Sequence, residues 1–187
     1  MKTIGKGAFF YTIVETIHIK ENVIELADGW NNGLISLKKI IIANENKNFK
    51  ISDDGIFCFG KSDPKSDEYD TIVFSNGNIA NVTIPPFIKK IGSGAFAYSK
   101  LESITIPKQV IEISERSFYS CGELQTVDFE EIVGKYKDLQ SFEQQLQQLS
   151  SMLNCSSKTI NFYEIVSKYK DLQNLEQQLQ QLSSTLN

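Results

Sequence analysis

Four sets of residues have types and spacings that could do chemistry. Gly92, Gly94 and Ala97, in the stretch IGSGAFAYSKLESITIP at residues 91–107, satisfy the spacing G-x-G-x-x-G/A. Between a strand and a helix, that spacing cradles a dinucleotide pyrophosphate on backbone N–H groups. Asp63, Asp67, Glu68 and Asp70 crowd the carboxylate oxygens that a hard cation such as calcium takes as ligands. Cys58, Cys121 and Cys155 could offer thiolates, and His18 could serve a nucleophile as its base.

None of the four has the context its chemistry needs. A dinucleotide loop opens a helix of ten or more residues, yet here only about four residues follow Ala-Phe before the next apolar strand begins. The acidic run, GKSDPKSDEYD at residues 60–70, lacks the EF-hand order and its glycine, so it reads as a solvated turn. Three cysteines with no C-x-x-C spacing argue against both a disulfide framework and a zinc site. His18 is the single histidine, without triad spacing around it, and reads as an outward polar residue on a strand. The sequence therefore implies no enzyme, no cofactor and no metal.

The elements that position these residues explain them better. The stretch IGKGAFFYTIVETIHI, residues 4–19, begins as IGSGAFAY does, so the motif is a repeat. Apolar strands recur as VETIHI (14–19), LKKIII (37–42), IANVTI (79–84), LESITI (101–106) and LQTVDF (124–129). Each reads apolar-x-x-apolar-x-apolar, at intervals of about 22 or 23 residues where nothing intervenes, which is the leucine-rich-repeat range. Pro85 and Pro107 close their strands, because proline cannot continue a ladder. A V-x-x-I segment follows at 23–26 and 110–113, then an aromatic residue: Phe9, Trp30, Phe96 or Phe118. The pattern predicts a solenoid whose coil has one wall from the strand, a second from V-x-x-I and an aromatic interior. The glycines of IGSGAF then supply corner conformations that other residues resist.

Residues 82–129, VTIPPFIKKIGSGAFAYSKLESITIPKQVIEISERSFYSCGELQTVDF, closely resemble the BspA-like leucine-rich repeats of bacterial and protozoan surface proteins. The pattern I-x-I-P-x-x-V-x-x-I-x-x-x-A-F-x-x-C-x-x-L is met by Ile104, Ile106, Pro107, Val110, Ile113, Phe118, Cys121 and Leu124, with Ser117 in place of Ala. The resemblance spans roughly residues 4–129. It implies a leucine-rich-repeat solenoid over 1–129, interrupted at about 43–78 by a β-hairpin that loops out of the coil. Residues 51–59 and 71–74 read as the hairpin's two strands. The resemblance also implies a cell-surface setting and a role in adhesion or recognition.

After Phe129 the composition shifts to Gln, Leu and Ser. EIVGKYKDLQSFEQQLQQLSSMLN (131–154) returns as EIVSKYKDLQNLEQQLQQLSSTLN (164–187), a tandem duplication with its own strand-like connector, TINF at 159–162. Leu139, Phe142, Leu146, Leu149 and Leu153 are spaced three and four apart, as are Leu172, Leu175, Leu179, Leu182 and Leu186. That spacing predicts two amphipathic helices of about 22 residues, some 33 Å long, with a helix-pairing seam. Asp128 with Glu131, and Asn161 with Glu164, take capping positions. Residues 130–187 are thus expected as a strand–helix unit that caps the solenoid or pairs as a hairpin, giving an α+β chain overall. Pairing with a second chain is the alternative.

The net charge of −4 carries no basic stripe, which argues against nucleic acid, and no apolar run reaches the length of a membrane span. MKTIGKGAFFYTIVE lacks a small-residue cleavage site and reads as a repeat rather than a leader. It also begins mid-coil, an expected bare edge. Solenoids bind through extended surfaces. Here the outward strand residues are Glu15, Thr16, His18, Lys38, Lys39, Ile41, Asn81, Thr83, Glu102, Ser103, Thr105, Gln125, Thr126 and Asp128. The expected function is a protein-interaction or adhesion module with a protein partner. The alternative is a self-assembling homo-oligomer joined through the C-terminal helices or the bare N-terminal edge.

Overall fold

A computed structural model describes residues 2–76 and 78–129. The strands expected from the repeat form its first wall: β2 (Thr16–Ile19), β4 (Lys39–Ile42), β8 (Asn81–Thr83), β10 (Ser103–Ile106) and β12 (Thr126–Phe129). The V-x-x-I segments and their equivalents supply a second wall: β1 (Thr3–Ile4), β3 (Glu25–Leu26), β9 (Lys90–Ile91) and β11 (Glu112–Ile113). Between β4 and β8 lie three further strands, β5 (Lys50–Ile51), β6 (Phe57–Gly60) and β7 (Thr71–Ser75). Among the described residues there is no helix. The helices expected at 130–187, with the seam from Leu139 to Leu186, lie outside the described residues.

Wall strands pair in parallel with the register a coil of constant length requires. Thr16 faces Lys39 and Ile17 faces Ile40. In the second group Ser103 faces Asn81 on one side and Thr126 on the other. Constant register puts equivalent residues above one another, so apolar positions form continuous columns inside the stack. The aromatic position fills the space between walls: Phe96 and Phe118 stack with ring centroids 5.1 Å apart, and Phe9 meets Trp30 edge-on at 6.3 Å. Trp30, Phe96 and Phe118 are buried, whereas Phe9 is only half-buried.

Turns inside the coil use side chains to satisfy backbone groups that no ladder reaches. The Asn46 amide donates to the carbonyls of Lys20 (2.8 Å) and Val23 (2.9 Å), and its Oδ1 accepts from the N–H groups of Asn48 and Phe49. Ser117 Oγ, fully buried, donates to Gly92 O at 3.0 Å, which explains why a hydroxyl can replace the family's alanine there. Cys121 Sγ lies 3.0 Å from Phe96 O.

The insertion differs from its expected form in two ways. Residues 51–59 are not one strand: a turn at Asp53–Gly55 separates β5 from β6, and Asp54 accepts hydrogen bonds from Ser52 Oγ and Ile56 N–H. Nor does the hairpin loop out of the coil. β6 is buried on both faces, and β7 pairs antiparallel with β6 and parallel with β9. Phe57, Phe59 and Ile72 join the core under β8–β12, while Cys58 and Phe74 join the core under β1–β4. The hairpin is an internal partition whose two sides finish two different cores. Burial on both sides follows from an uninterrupted apolar sequence, IFCFG, which has no polar face to offer water.

Candidate binding face

The predicted outward residues do point outward, but onto two panels and not one. Glu15, Thr16, His18, Lys38 and Lys39 are exposed on β2 and β4 and just before them, and Ile41 is half-buried among them. Asn81, Thr83, Glu102, Gln125, Thr126 and Asp128 are exposed on and beside β8, β10 and β12, with Ser103 and Thr105 half-buried on the central strand. The alternation of inward and outward residues along a strand produces this arrangement. Lys38 Nζ meets Glu15 Oε1 at 2.7 Å, and Ser103 Oγ donates to Asn81 Oδ1 at 2.6 Å. Both contacts run along the stack, between equivalent positions of successive coils.

Sequence reasoning missed the break between the panels. Paired wall strands are 22 or 23 residues apart, yet 42 positions separate Lys39 from Asn81, close to two coils. The chain spends that length on the partition, so one strand of the first wall is omitted. Beside β4 the omission leaves a cleft of about 900 Å³, lined by the strand itself, the β5–β6 turn and Asn76 and Asn78. The interval was the signal that could have found it.

The chemistry suggested by the remaining motifs is used up inside the fold. Gly92, Ala95, Phe96, Ala97 and Tyr98 donate their N–H groups to Ile72, Gly92, Ser117, Gly94 and Tyr119 carbonyls, all within 3.1 Å, so these amides have no donor left for a phosphate. Gly94 takes φ +66°, the corner role expected of it. Gly92 has a different reason: a Cβ there would lie 2.8 Å from Ile72 O. Asn31, buried, donates its amide N–H to Gly94 O at 2.9 Å and so ties the second coil to the corner beyond the partition.

Nor is the acidic run uniformly solvated. Asp70 is buried and accepts from Ser62 N–H and Oγ at 2.8 and 2.7 Å, with Lys89 Nζ 3.7 Å away. Burial pushes its carboxyl up, but the Ser62 hydrogen bonds and Lys89 outweigh it and hold the group below the ordinary carboxylate range. Glu68 pairs with Lys89 at 2.7 Å, and Asp63 accepts from Lys65 N–H. Burial pushes the Cys58 thiol up to about 12, the property of a packed residue and not of a nucleophile. His18 is exposed on β2. Among the described residues no helix is long and apolar enough to cross a membrane.

Comparison with known proteins agrees with this geometry. No curated protein matches the sequence. Among solved structures, a leucine-rich repeat protein from Eubacterium ventriosum is 20% identical with a TM-score of 0.54, over 71% of this chain and 40% of its own. A leucine rich cell surface protein from Faecalibacterium prausnitzii is 22% identical with a TM-score of 0.57, over 70% of this chain and 33% of its own. The pneumococcal vaccine antigen PcpA is 19% identical with a TM-score of 0.53, over 62% and 27%. The chain thus spans well under half of each of these structures, and at such identity the likeness concerns the fold. The profile of the BspA type leucine rich repeat region matches residues 1–61 and 68–176 in 6 copies, so it runs on into the duplicated C-terminal unit. With constant coil register, an aromatic interior and that match over most of its length, the chain belongs to the BspA type leucine-rich-repeat family.

Proposed function

We propose that this chain is a non-catalytic protein-interaction module of the adhesion type, binding through the two strand panels. One observation carries the reading: the wall strands β2, β8 and β10 bury every second side chain and hold the intervening polar ones further out at fixed spacing. Repeat solenoids use such surfaces for recognition. A leucine rich cell surface protein of the same fold supports it. The test is capture of defined extracellular-matrix proteins by the immobilised chain. Charge reversal at Lys38, Lys39 and Glu102 should abolish capture while the solution mass stays constant. Capture undiminished by all three reversals would remove the face from consideration.

A second reading, self-assembly, draws on one feature of the N-terminal coils. Tyr11, Ile13 and Ile35, on the turns that lead into β2 and β4, are exposed at 93%, 84% and 66%. Light scattering across a wide concentration range decides between the two. A constant 21 kDa species leaves the panels as the binding surface, and a concentration-dependent mass favours assembly.

A further inference from the structure

The omitted wall strand leaves more than a gap. In the parallel ladder with β2, Lys39, Ile41 and Ala43 turn their backbone groups toward β2, as Lys39 N–H to Glu15 O and Ala43 N–H to Ile19 O show. The alternate residues, Ile40 and Ile42, therefore present N–H and C=O in the other direction, into the cleft of about 900 Å³. Among the described residues β4 pairs with β2 alone, and no turn or loop hydrogen bond takes up these four groups. In a regular coil the next wall strand would do so, as β10 does for β8.

The cleft also has a charge. Lys38 is paired with Glu15, and the Asp54 carboxylate accepts from Ser52 Oγ and Ile56 N–H and stays charged, one anion against the two further lysines of the lining. Lys39 and Lys50 remain, without a carboxylate partner among the described residues, and Lys50 Nζ sits 4.9 Å from the Tyr69 ring centroid. The cleft floor is apolar, with Ile42, Phe49 and Ile56 among its lining residues. A strand-shaped vacancy with an open hydrogen-bonding edge, an apolar floor and two unpaired cations fits one kind of occupant.

We propose that the β4 edge binds an extended acidic peptide segment of a partner protein, added as the missing strand parallel to β4. Its alternate apolar side chains fill the floor and its carboxylates meet Lys39 and Lys50. Strand addition of this kind takes affinity from main-chain hydrogen bonds and selectivity from alternate side chains. The site lies at the edge of the wall and not on its face. It rests on the interaction-module reading only in taking the partner to be a protein.

The probe is an end-blocked hexapeptide alternating glutamate with valine, titrated into the full chain. Along this solenoid the outward residues of each strand donate to the strand before it, as Lys39 does to Glu15. Parallel addition therefore requires the glutamate N–H groups to face β4. N-methylation of the glutamate amides should weaken binding about tenfold or more, while N-methylation of the valine amides is tolerated. Hydrogen exchange at the Ile40 and Ile42 amides should slow on peptide addition. Lys39→Glu with Lys50→Glu should reverse the preference toward a lysine–valine peptide.

Equal binding of the two methylated peptides, loss on methylating the valine set alone, or no binding would overturn the proposal. So would Ile40 and Ile42 protection that rises with protein concentration without peptide, because a second copy would then be the occupant. The face reading stands or falls separately, on matrix-protein capture by Glu102→Lys, in which no peptide takes part.

Discussion

The two stacks on either side of the partition solve one packing problem with different means. In the N-terminal stack two wall strands, β2 and β4, lie over a core containing Ile17, Ile19, Trp30, Leu34 and Ile40. In the C-terminal stack three wall strands cover a core with Phe96 and Phe118 stacked in parallel and Phe57 of the partition set edge-on to Phe96 at 6.2 Å. The N-terminal stack leaves large apolar side chains in solvent on the turns that lead into its wall strands, whereas the equivalent C-terminal turns carry Tyr98 and Tyr119 half-buried against each other. A third coil adds an interface on which its neighbours' columns close, so stability per coil should rise along the stack. The comparison teaches that the partition joins two units of unequal stability, coupled by its two buried faces and by Asn31.

That inequality can be broken most forcefully at Phe96. Phe96→Ala should destabilise the C-terminal stack by about 3–5 kcal/mol, since the ring touches both the partition and the next coil. The one tryptophan, Trp30, is buried in the other core and reports on that core alone. In urea, the variant's far-ultraviolet circular dichroism should fall before the Trp30 fluorescence changes. Coincident midpoints would mean that the stacks unfold as one unit. Asn31→Ala comes next, with a loss of about 1–2 kcal/mol from the unpaired Gly94 carbonyl. It should also widen the separation between the two probes.

Asp70 sharpens the comparison through pH, because it anchors the partition loop at the foot of β7. Its folded-state pKa is lowered, so its stabilising effect is complete above the ordinary value of 3.8 and is lost as pH falls through the lower folded value. Asp70→Asn should lower stability at neutral pH and flatten the decline below pH 3.8, read as urea midpoints across an acid series. The smallest effect is expected at the Lys38–Glu15 pair on the N-terminal panel. Both side chains are more than half exposed, and Lys38→Glu should change stability by less than about 1 kcal/mol, measured by the same titration.

The sequence made the coils legible and the partition illegible for one physical reason. Wall strands such as TIHI and SITI bury one face, so their alternation announces both the strand and the direction of each side chain. FCFG buries two faces and has no alternation to read, so its place inside the molecule was hidden. The Asp-Asp-Gly turn that splits β5 from β6 was present as a signal, with Gly55 at φ +73°. The apolar residues on both sides of it overrode that signal. For the candidate face, the outward residues lie on the wall strands or, as with Glu15, Lys38, Glu102 and Gln125, just before them. The division into panels depended on which strands pair, and pairing is a long-range fact that the local pattern does not contain. Asp70 was missed because its partners, Ser62 and Lys89, come from opposite sides of the loop.

The corners of the coils distribute backbone strain unevenly between the two stacks. Left-handed backbone occurs in pairs four positions apart: 7 and 11, 29 and 33, 94 and 98, 116 and 120. In the N-terminal stack three of those four positions are glycine, with Tyr11 the exception; in the C-terminal stack only Gly94 is, and Tyr98, Arg116 and Ser120 occupy the rest. Each non-glycine residue there costs on the order of 1 kcal/mol in backbone conformation. Three strained corners beside one mean that the three-stranded stack carries the larger conformational cost and holds it with the larger core.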